Sequence, residues 1–328
     1  MTRLGFQIPN FTFPGVPDDR LFERVVTMAQ AAESAGFDTV MVMDHFYQLP
    51  MLGPPDASML ECYAVLSALA TRTERIRLSA LVSGNTYRNP AHLAKIVTTL
   101  DLISGGRAQL GIGAGWFEEE HTALGFPFPS LGERLDRLEE ALEIITAMFR
   151  GERPTFKGRF YNVEEAINSP APLQAGGPPI LIGGSGEKRT LRLVARFAND
   201  SNLTCAPAEI PRKIEALERH CKDLDRDPST VTKSWLGSFV IAPTMEAAEA
   251  ARNRFLAERG MNWDTLPEQV RTVIERSLVV GDPDSVLGFV QEKIIGAGLD
   301  GVIANLPANG HEPEIIALAG ETLRKAVG

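Results

Sequence analysis

Asp44-His45 closes the short apolar run Asp38–Met43 and passes it into a loop. Where strands alternate with helices, ligands meet the protein at the carboxyl ends of the strands, so an acid and an imidazole delivered there together point to proton-transfer chemistry. A helix-capping Asp beside a core-edge His is the competing reading. Other strand ends decide between them. Gly111-Ile-Gly-Ala-Gly115 follows an apolar run and departs from the dinucleotide fingerprint, so its glycines read as close backbone approach to a flat ring or to a neighbouring strand. Gly183-Gly-Ser-Gly186-Glu-Lys-Arg-Thr190 joins a strand to a helix through small residues. The free N–H groups of that helix start, with the Ser185 and Thr190 hydroxyls, make a phosphate seat, while at least one of Lys188 and Arg189 reads as a solvated helix charge. Arg88 either answers an anion or bridges its loop to a neighbouring carboxylate. Glu118-Glu-Glu-His121 adds titratable groups near the same mouth. The five histidines are scattered, without His-Glu-x-x-His spacing, so no metal site is expected.

The elements that must hold these residues alternate along the chain. Strands are expected at Leu4–Pro9, Thr39–Met43, Arg75–Val82, Ala108–Ile112, Ile180–Ile182, Asp200–Thr204, Val231–Ile241 and Gly301–Ala304. Helices fall between them: about Asp19–Ala35, Ser58–Thr71, Asn89 to Gly105, Leu131–Phe149, a helix after Gly186, Pro207–Asp225, Met245–Glu258, Asp282–Gly296 and Glu312–Ala326. Asn89 caps its helix, Pro90 suits the first turn, and Gly105-Gly106 ends it. Leu131, Leu135, Leu138, Leu142, Ile145 and Phe149 mark one apolar helix face, with Glu133 placed four residues before Arg137. Eight strands in this order predict a (β/α)8 TIM barrel of the α/β class, with a doubly wound open sheet as runner-up. The barrel is expected to fill residues 1–328 as one domain. It carries a hairpin-containing insertion after the fourth helix, around Thr155–Tyr161, and an irregular, lid-like excursion near residues 259–278.

Composition narrows the partners. The 328 residues carry a formal charge of −9, with 44% hydrophobic and 23% charged residues. That balance disfavours nucleic acid, which needs a clustered positive surface, and no apolar run approaches membrane-spanning length. No signal peptide is visible ahead of Leu4, and Cys62, Cys205 and Cys221 lack metal or disulfide spacing, so a cytoplasmic protein with reduced, structural thiols is expected.

Asp44-His45, Asn89-Pro90, Gly111–Gly115 and Pro179-Ile-Leu-Ile-Gly-Gly-Ser-Gly186, in this order, with Arg159-Phe-Tyr-Asn and Pro170-Ala-Pro-Leu-Gln174 between the last two, closely resemble the luciferase-like monooxygenase superfamily, and within it the branch using the deazaflavin coenzyme F420. The resemblance runs from Leu4 to the terminal helix. It implies hydride transfer between the deazaflavin C5 and a small organic substrate, with the cofactor supplying the chemistry and the protein the orientation. It further implies that Asp44 contacts the ring and that His45 is the acid or base beside the reacting carbon. Ala80-Leu81 would be a cis peptide behind the ring, Gly113, Ala114 and Gly115 would lie along the ribityl chain or phosphate, and Gly183, Gly184, Ser185 and Gly186 would grip phosphate. A homodimer is also implied.

One position departs from the family pattern. In the family's sugar-phosphate dehydrogenases a carboxylate follows the glycine run where this chain has Trp116, so reduction of an activated C=C or C=N bond fits better, with Phe46, Trp116 and Glu120 at the substrate pocket. Glu119 or Glu120 replaces that acid only from a different spacing. Tyr47, Trp235 and Asn305 also fall near strand ends, Trp235 equally as a core residue. Two alternatives stand: the same fold using FMN with molecular oxygen, and a non-catalytic cofactor-binding barrel.

Overall fold

Each short apolar run pairs with its neighbours in parallel and buries both faces. The computed structural model describes residues 2–328. Its strands are β1 Leu4–Ile8, β2 Thr39–Val42, β3 Arg77–Ala80, β4 Ser83–Gly84, β5 Ala108–Gly113, β6 Phe156–Lys157, β7 Asn162–Val163, β8 Ile180–Gly183, β9 Asp200–Leu203, β10 Thr232–Ile241, β11 Leu278–Gly281 and β12 Gly301–Asn305. Eight of them close a cylinder in the order β12-β1-β2-β3-β5-β8-β9-β10, with β10 returning to β12. This is the expected parallel TIM barrel rather than the open sheet. β4 prolongs the path of β3 after a break and pairs with the end of β5.

Alternation along the strands divides the core in two. Phe6, Ile8, Val40 and Val42 pack outward in the large cluster shared with the helices, whereas Met41, Leu81, Leu181 and Ile303 form a separate cluster inside the cylinder. At the amino ends of the strands the interior is closed by a polar floor. The Thr2 and Thr39 hydroxyls lie 2.8 Å apart, Thr2 Oγ1 donates to Gln109 Oε1 at 3.2 Å, and Gln109 donates to Asp200. Chemistry is thereby left to the carboxyl-end rim.

The helix Leu131–Phe149 runs as the apolar spacing requires, with Ser130 Oγ accepting from the Glu133 amide and Glu133 paired to Arg137 at 2.8 Å. Leu131 is the exception on its face, exposed in the first turn. The Asn89 side chain caps the helix Pro90–Ser104, and Gly105 ends it in the left-handed conformation at φ 68°. The expected insertion contains the antiparallel hairpin β6–β7. Its turn is fastened by one side chain: the Glu140 carboxylate accepts from the amides of Arg159, Phe160 and Tyr161 at 2.7 to 3.0 Å. Glu140→Ala leaves those three donors without a partner, so hydrogen exchange at residues 159–161 should accelerate at least tenfold while the barrel strands keep their protection. Equal protection in variant and parent would show that the clamp is dispensable.

The excursion near residues 259–278 is more ordered than its sequence indicated. It holds a 3-10 turn at Trp263–Thr265 and the helix Glu268–Ser277, and leads directly into β11. That helix buries no residue fully. β11 was missed because its partner is the far half of β10: Thr232–Trp235 pair with β9, Ser234–Ser238 with β12, and only Ser238–Ile241 with β11. Among the described residues no helix is long and apolar enough to cross a membrane.

Candidate active site

β2 ends at Val42, and the next turn brings Asp44 inward. Its carboxylate is buried and fully engaged: Arg88 donates to Oδ2 at 2.5 Å and to Oδ1 at 2.9 Å, and the Gly84 amide adds a bond at 3.1 Å. Arg88 also donates to Glu61 at 2.7 Å and lies 5.0 Å from the Tyr63 ring centroid. Of its two readings, the structure gives the bridge to carboxylates. Burial pushes the Asp44 carboxyl above its ordinary range, and the Arg88 charge beside it opposes that shift. Asp44 thus ties the loop after β2 to the loop after β4.

His45 points the other way, toward the loop after β5. Its Nδ1 lies 2.6 Å from Glu120 Oε1, and its ring meets Trp116 and Phe117 edge-on at 5.6 and 5.8 Å. Glu120 sits on the helix Glu118–Leu124, three residues after Phe117 ends the glycine loop. The side chain is wholly buried and collects four donors. Besides His45, Tyr87 donates its hydroxyl to Oε1, and the amides of Phe46 and Tyr47 donate to Oε2 at 2.8 and 3.3 Å. Burial works to raise the Glu120 carboxyl, but the His45 contact, Tyr87 and the Phe46 amide outweigh it and hold the group below the usual carboxylate range. Glu120 therefore stands behind His45 and does not line the substrate pocket as expected from sequence. His121 is locked by Phe117 O and Thr86 Oγ1, each at 2.6 Å. Glu119 is exposed.

Trp116 is 60% exposed, and Phe46 packs against Tyr87 and Phe126 at 5.1 and 5.8 Å. Trp235 resolves as a core residue: its indole donates to Cys205 O, and its ring meets Phe239 and Phe289 in the helix layer.

The glycines of β5 and β8 are required by the protein's own packing. A Cβ on Gly111 would stand 2.0 Å from Ala80 O, and one on Gly113 or Gly183 would stand 2.9 Å from the Val82 side chain. Between β3 and β4 the chain carries a non-proline cis peptide at Leu81-Val82, one bond later than the expected Ala80-Leu81. The shift has a plain cause. Leu81 still donates its amide to Val42 O as the continuation of β3, so the departure begins only after it. Ala80 and Leu81 are both buried, and Val82 is the residue presented between Gly113 and Gly183. Ala114 is half-buried, and Gly115 turns at φ 78°, where a side chain would strike Thr86.

The helix after β8 starts at Thr190, with residues 187–189 forming a turn. Ser185 Oγ is taken by the Thr204 backbone, accepting from its amide at 2.9 Å and donating to its carbonyl at 3.1 Å. Arg189 is paired with Asp136 at 2.5 Å, while Lys188 is exposed and makes no ion pair among the described residues. The Ser185 hydroxyl is thereby committed to the Thr204 backbone, and the Gly184 amide donates to Asn202 O at 3.0 Å.

Two further groups carry no sequence motif at all. Gln7 on β1 and Asn305 on β12 are register neighbours, 3% and 8% exposed, and their carbonyl oxygens accept no hydrogen bond among the described residues. Both occupy interior positions at the rim, beside Met41 and next after Ile303. Buried acceptors of this kind are normally paired. Gln7 was passed over because a polar residue inside a strand gives no local signal of which face it takes.

The chain matches the family model described as luciferase-like monooxygenase over residues 2–301. An F420-dependent glucose-6-phosphate dehydrogenase of Kineococcus radiotolerans is 36% identical over 303 residues, 87% of each chain. A protein of the same name from Microbacterium testaceum is 38% identical over 168 residues, so that match spans about half of either chain. Among solved structures, an F420-dependent secondary alcohol dehydrogenase in complex with an F420-acetone adduct superposes with a TM-score of 0.79 at 21% identity, covering 100% of this chain and 99% of that one. The last likeness is one of fold.

Proposed function

The chain belongs to the luciferase-like monooxygenase family, and on that premise we propose that it is an F420-dependent oxidoreductase acting on a small organic substrate, most consistently in reducing an activated C=C or C=N bond. Coenzyme F420, when bound, carries the hydride at its deazaflavin C5. One observation carries the reading: His45 follows the end of a barrel strand with Nδ1 held by a carboxylate and, among the described residues, no partner on Nε2. Such an imidazole can give or take a proton next to a reacting carbon.

The residues suit the cofactor. The unpaired carbonyls of Gln7 and Asn305 suit donors of a heterocycle or of the substrate. The turn Gly183–Gly186 and exposed Lys188 suit phosphate. Asp44 acts here through Arg88, keeping the turn that carries His45 in place. The reductase direction is supported by what stands beside His45. Trp116 occupies the place of the sugar dehydrogenases' acid, and Glu120, with four donors on its oxygens, has no capacity left to serve as a second acid. The working unit is taken to be residues 1–328 as one barrel, a cytoplasmic homodimer in keeping with the family resemblance.

Fluorescence titration with F420 and FMN, followed by turnover of reduced F420 with an activated enone or imine, tests this. Saturable F420 binding at least tenfold tighter than FMN binding, and substrate-dependent oxidation of the reduced cofactor, are the expected results. Tighter FMN binding with oxygen consumption would put the protein among the monooxygenases instead, and binding without turnover of any acceptor would make it a carrier.

A further inference from the structure

We propose that Glu120 and Tyr87 form a positioning pair behind His45, fixing its tautomer so that Nε2 alone faces the substrate and stabilising the imidazolium when His45 holds the proton. This rests on His45 being the acid or base of the proposed reaction.

The geometry leaves one assignment of protons. Glu120 is buried, receives four hydrogen bonds and is held below the usual carboxylate range, so it is an ionised acceptor with no proton to give. A contact of 2.6 Å between that oxygen and His45 Nδ1 requires the hydrogen on Nδ1. Neutral His45 is therefore the Nδ1–H tautomer, with the Nε2 lone pair turned away from Glu120; when it is protonated, Nε2–H becomes the donor to substrate. Tyr87 places its hydroxyl on the same oxygen, Oε1, while the Phe46 and Tyr47 amides fix Oε2. The carboxylate cannot rotate away, because the two amides belong to the chain that carries His45. This division of labour, in which a carboxylate orients a histidine without exchanging its own proton, has the logic of a hydrolase triad on an unrelated fold.

Other ionisable groups close to His45 are accounted for. Asp44, the preceding residue, and Arg88 on the loop after β4 neutralise each other, with Glu61 also on Arg88. His121, on the helix that carries Glu120, has both ring nitrogens engaged. Tyr47 approaches through its amide, and burial followed by the Glu120 contact drives the Tyr87 phenol far above its ordinary range, so it remains a donor. Glu118 and Glu119 are exposed at the helix start.

The test compares Glu120→Gln, Glu120→Asp and Tyr87→Phe with the parent holoenzyme. In Glu120→Gln, kcat should fall about a hundredfold with the F420 dissociation constant unchanged within about twofold. The limb of the pH profile that reports His45 should move to lower pH, because the imidazolium loses its counter-charge. In Tyr87→Phe the loss should be smaller, about tenfold, and the same limb should move to higher pH, since Oε1 then keeps more charge for His45. Glu120→Asp should restore part of the activity and return the limb toward the parent value. A side chain that merely supports the fold would shift neither limb, or both alike; either result overturns the pair, as does an unchanged kcat in folded Glu120→Gln.

Nitrogen-15 histidine spectra of the parent supply a readout that needs no turnover. The neutral His45 ring should carry its hydrogen on Nδ1, and an Nε2–H signal would sink the proposal even in an active enzyme. Absence of any F420-linked turnover, with the Nδ1–H signal present, would instead strike the proposed function and leave the pair intact.

Discussion

His45→Ala lowers kcat of the F420-linked reaction by about 10²- to 10⁴-fold while F420 still binds within a few fold of the parent: that is the first expected result. The separation of the two effects follows from the site's layout. His45 presents its ring edge to Trp116 and Phe117 and its Nδ1 to Glu120, and none of these contacts belongs to the glycine turn proposed for phosphate. Removing the imidazole deletes a proton donor at the rim and leaves the strands and their glycines untouched. Stopped-flow oxidation of reduced F420 with saturating acceptor measures the effect on the chemical step. Retention of the parent rate would mean that the proton comes from water or from another residue, and His45 would leave the mechanism.

Arg88→Met should destabilise the fold by about 3 to 5 kcal/mol, the scale expected when one member of a buried ion pair is removed and the other is left behind. Both side chains are enclosed, with 11% of Arg88 and 1% of Asp44 exposed. The loss should depend on pH in a definite direction. Burial already raises the Asp44 carboxyl above its ordinary range against the opposing charge of Arg88, and losing that charge raises it further. Between the unfolded and the raised folded values the native state binds a proton that the unfolded chain does not. Stability then falls as pH rises through the folded value and is recovered on acidification. The deficit of the variant relative to the parent should therefore be larger at about pH 8 than at about pH 5 in urea unfolding. A deficit that grew on acidification would show that Asp44 is not the group left uncompensated.

Much of this molecule is written locally. Gly105 closing its helix, Asn89 opening it and the apolar spacing of Leu135 to Phe149 are decided by residues within a turn of one another, and the alternation they produce leads to the barrel. Features decided by partners distant in sequence were harder to read. Glu120 looked like one charge among three at a helix start; its meaning comes from His45 and Phe46, on another strand end. Arg88 could be narrowed to an anion ligand or a carboxylate bridge, and only packing selects the bridge. The cis bond lies one residue past the position taken from the family pattern because a single amide, that of Leu81, extends its strand. Gln7 and Asn305 become informative only once strand register makes them neighbours.

The unequal length of β10 separates two tasks along one continuous strand. Its first half is stitched into the ring, while its second half projects past the last residue shared with β12 and carries β11 alone. No bond of the closed circuit passes through β11, so this appendage and the helix Glu268–Ser277 leading to it can fray, lengthen or be exchanged without unzipping the cylinder. The flank beside that projection can thus change while the scaffold beneath stays constant.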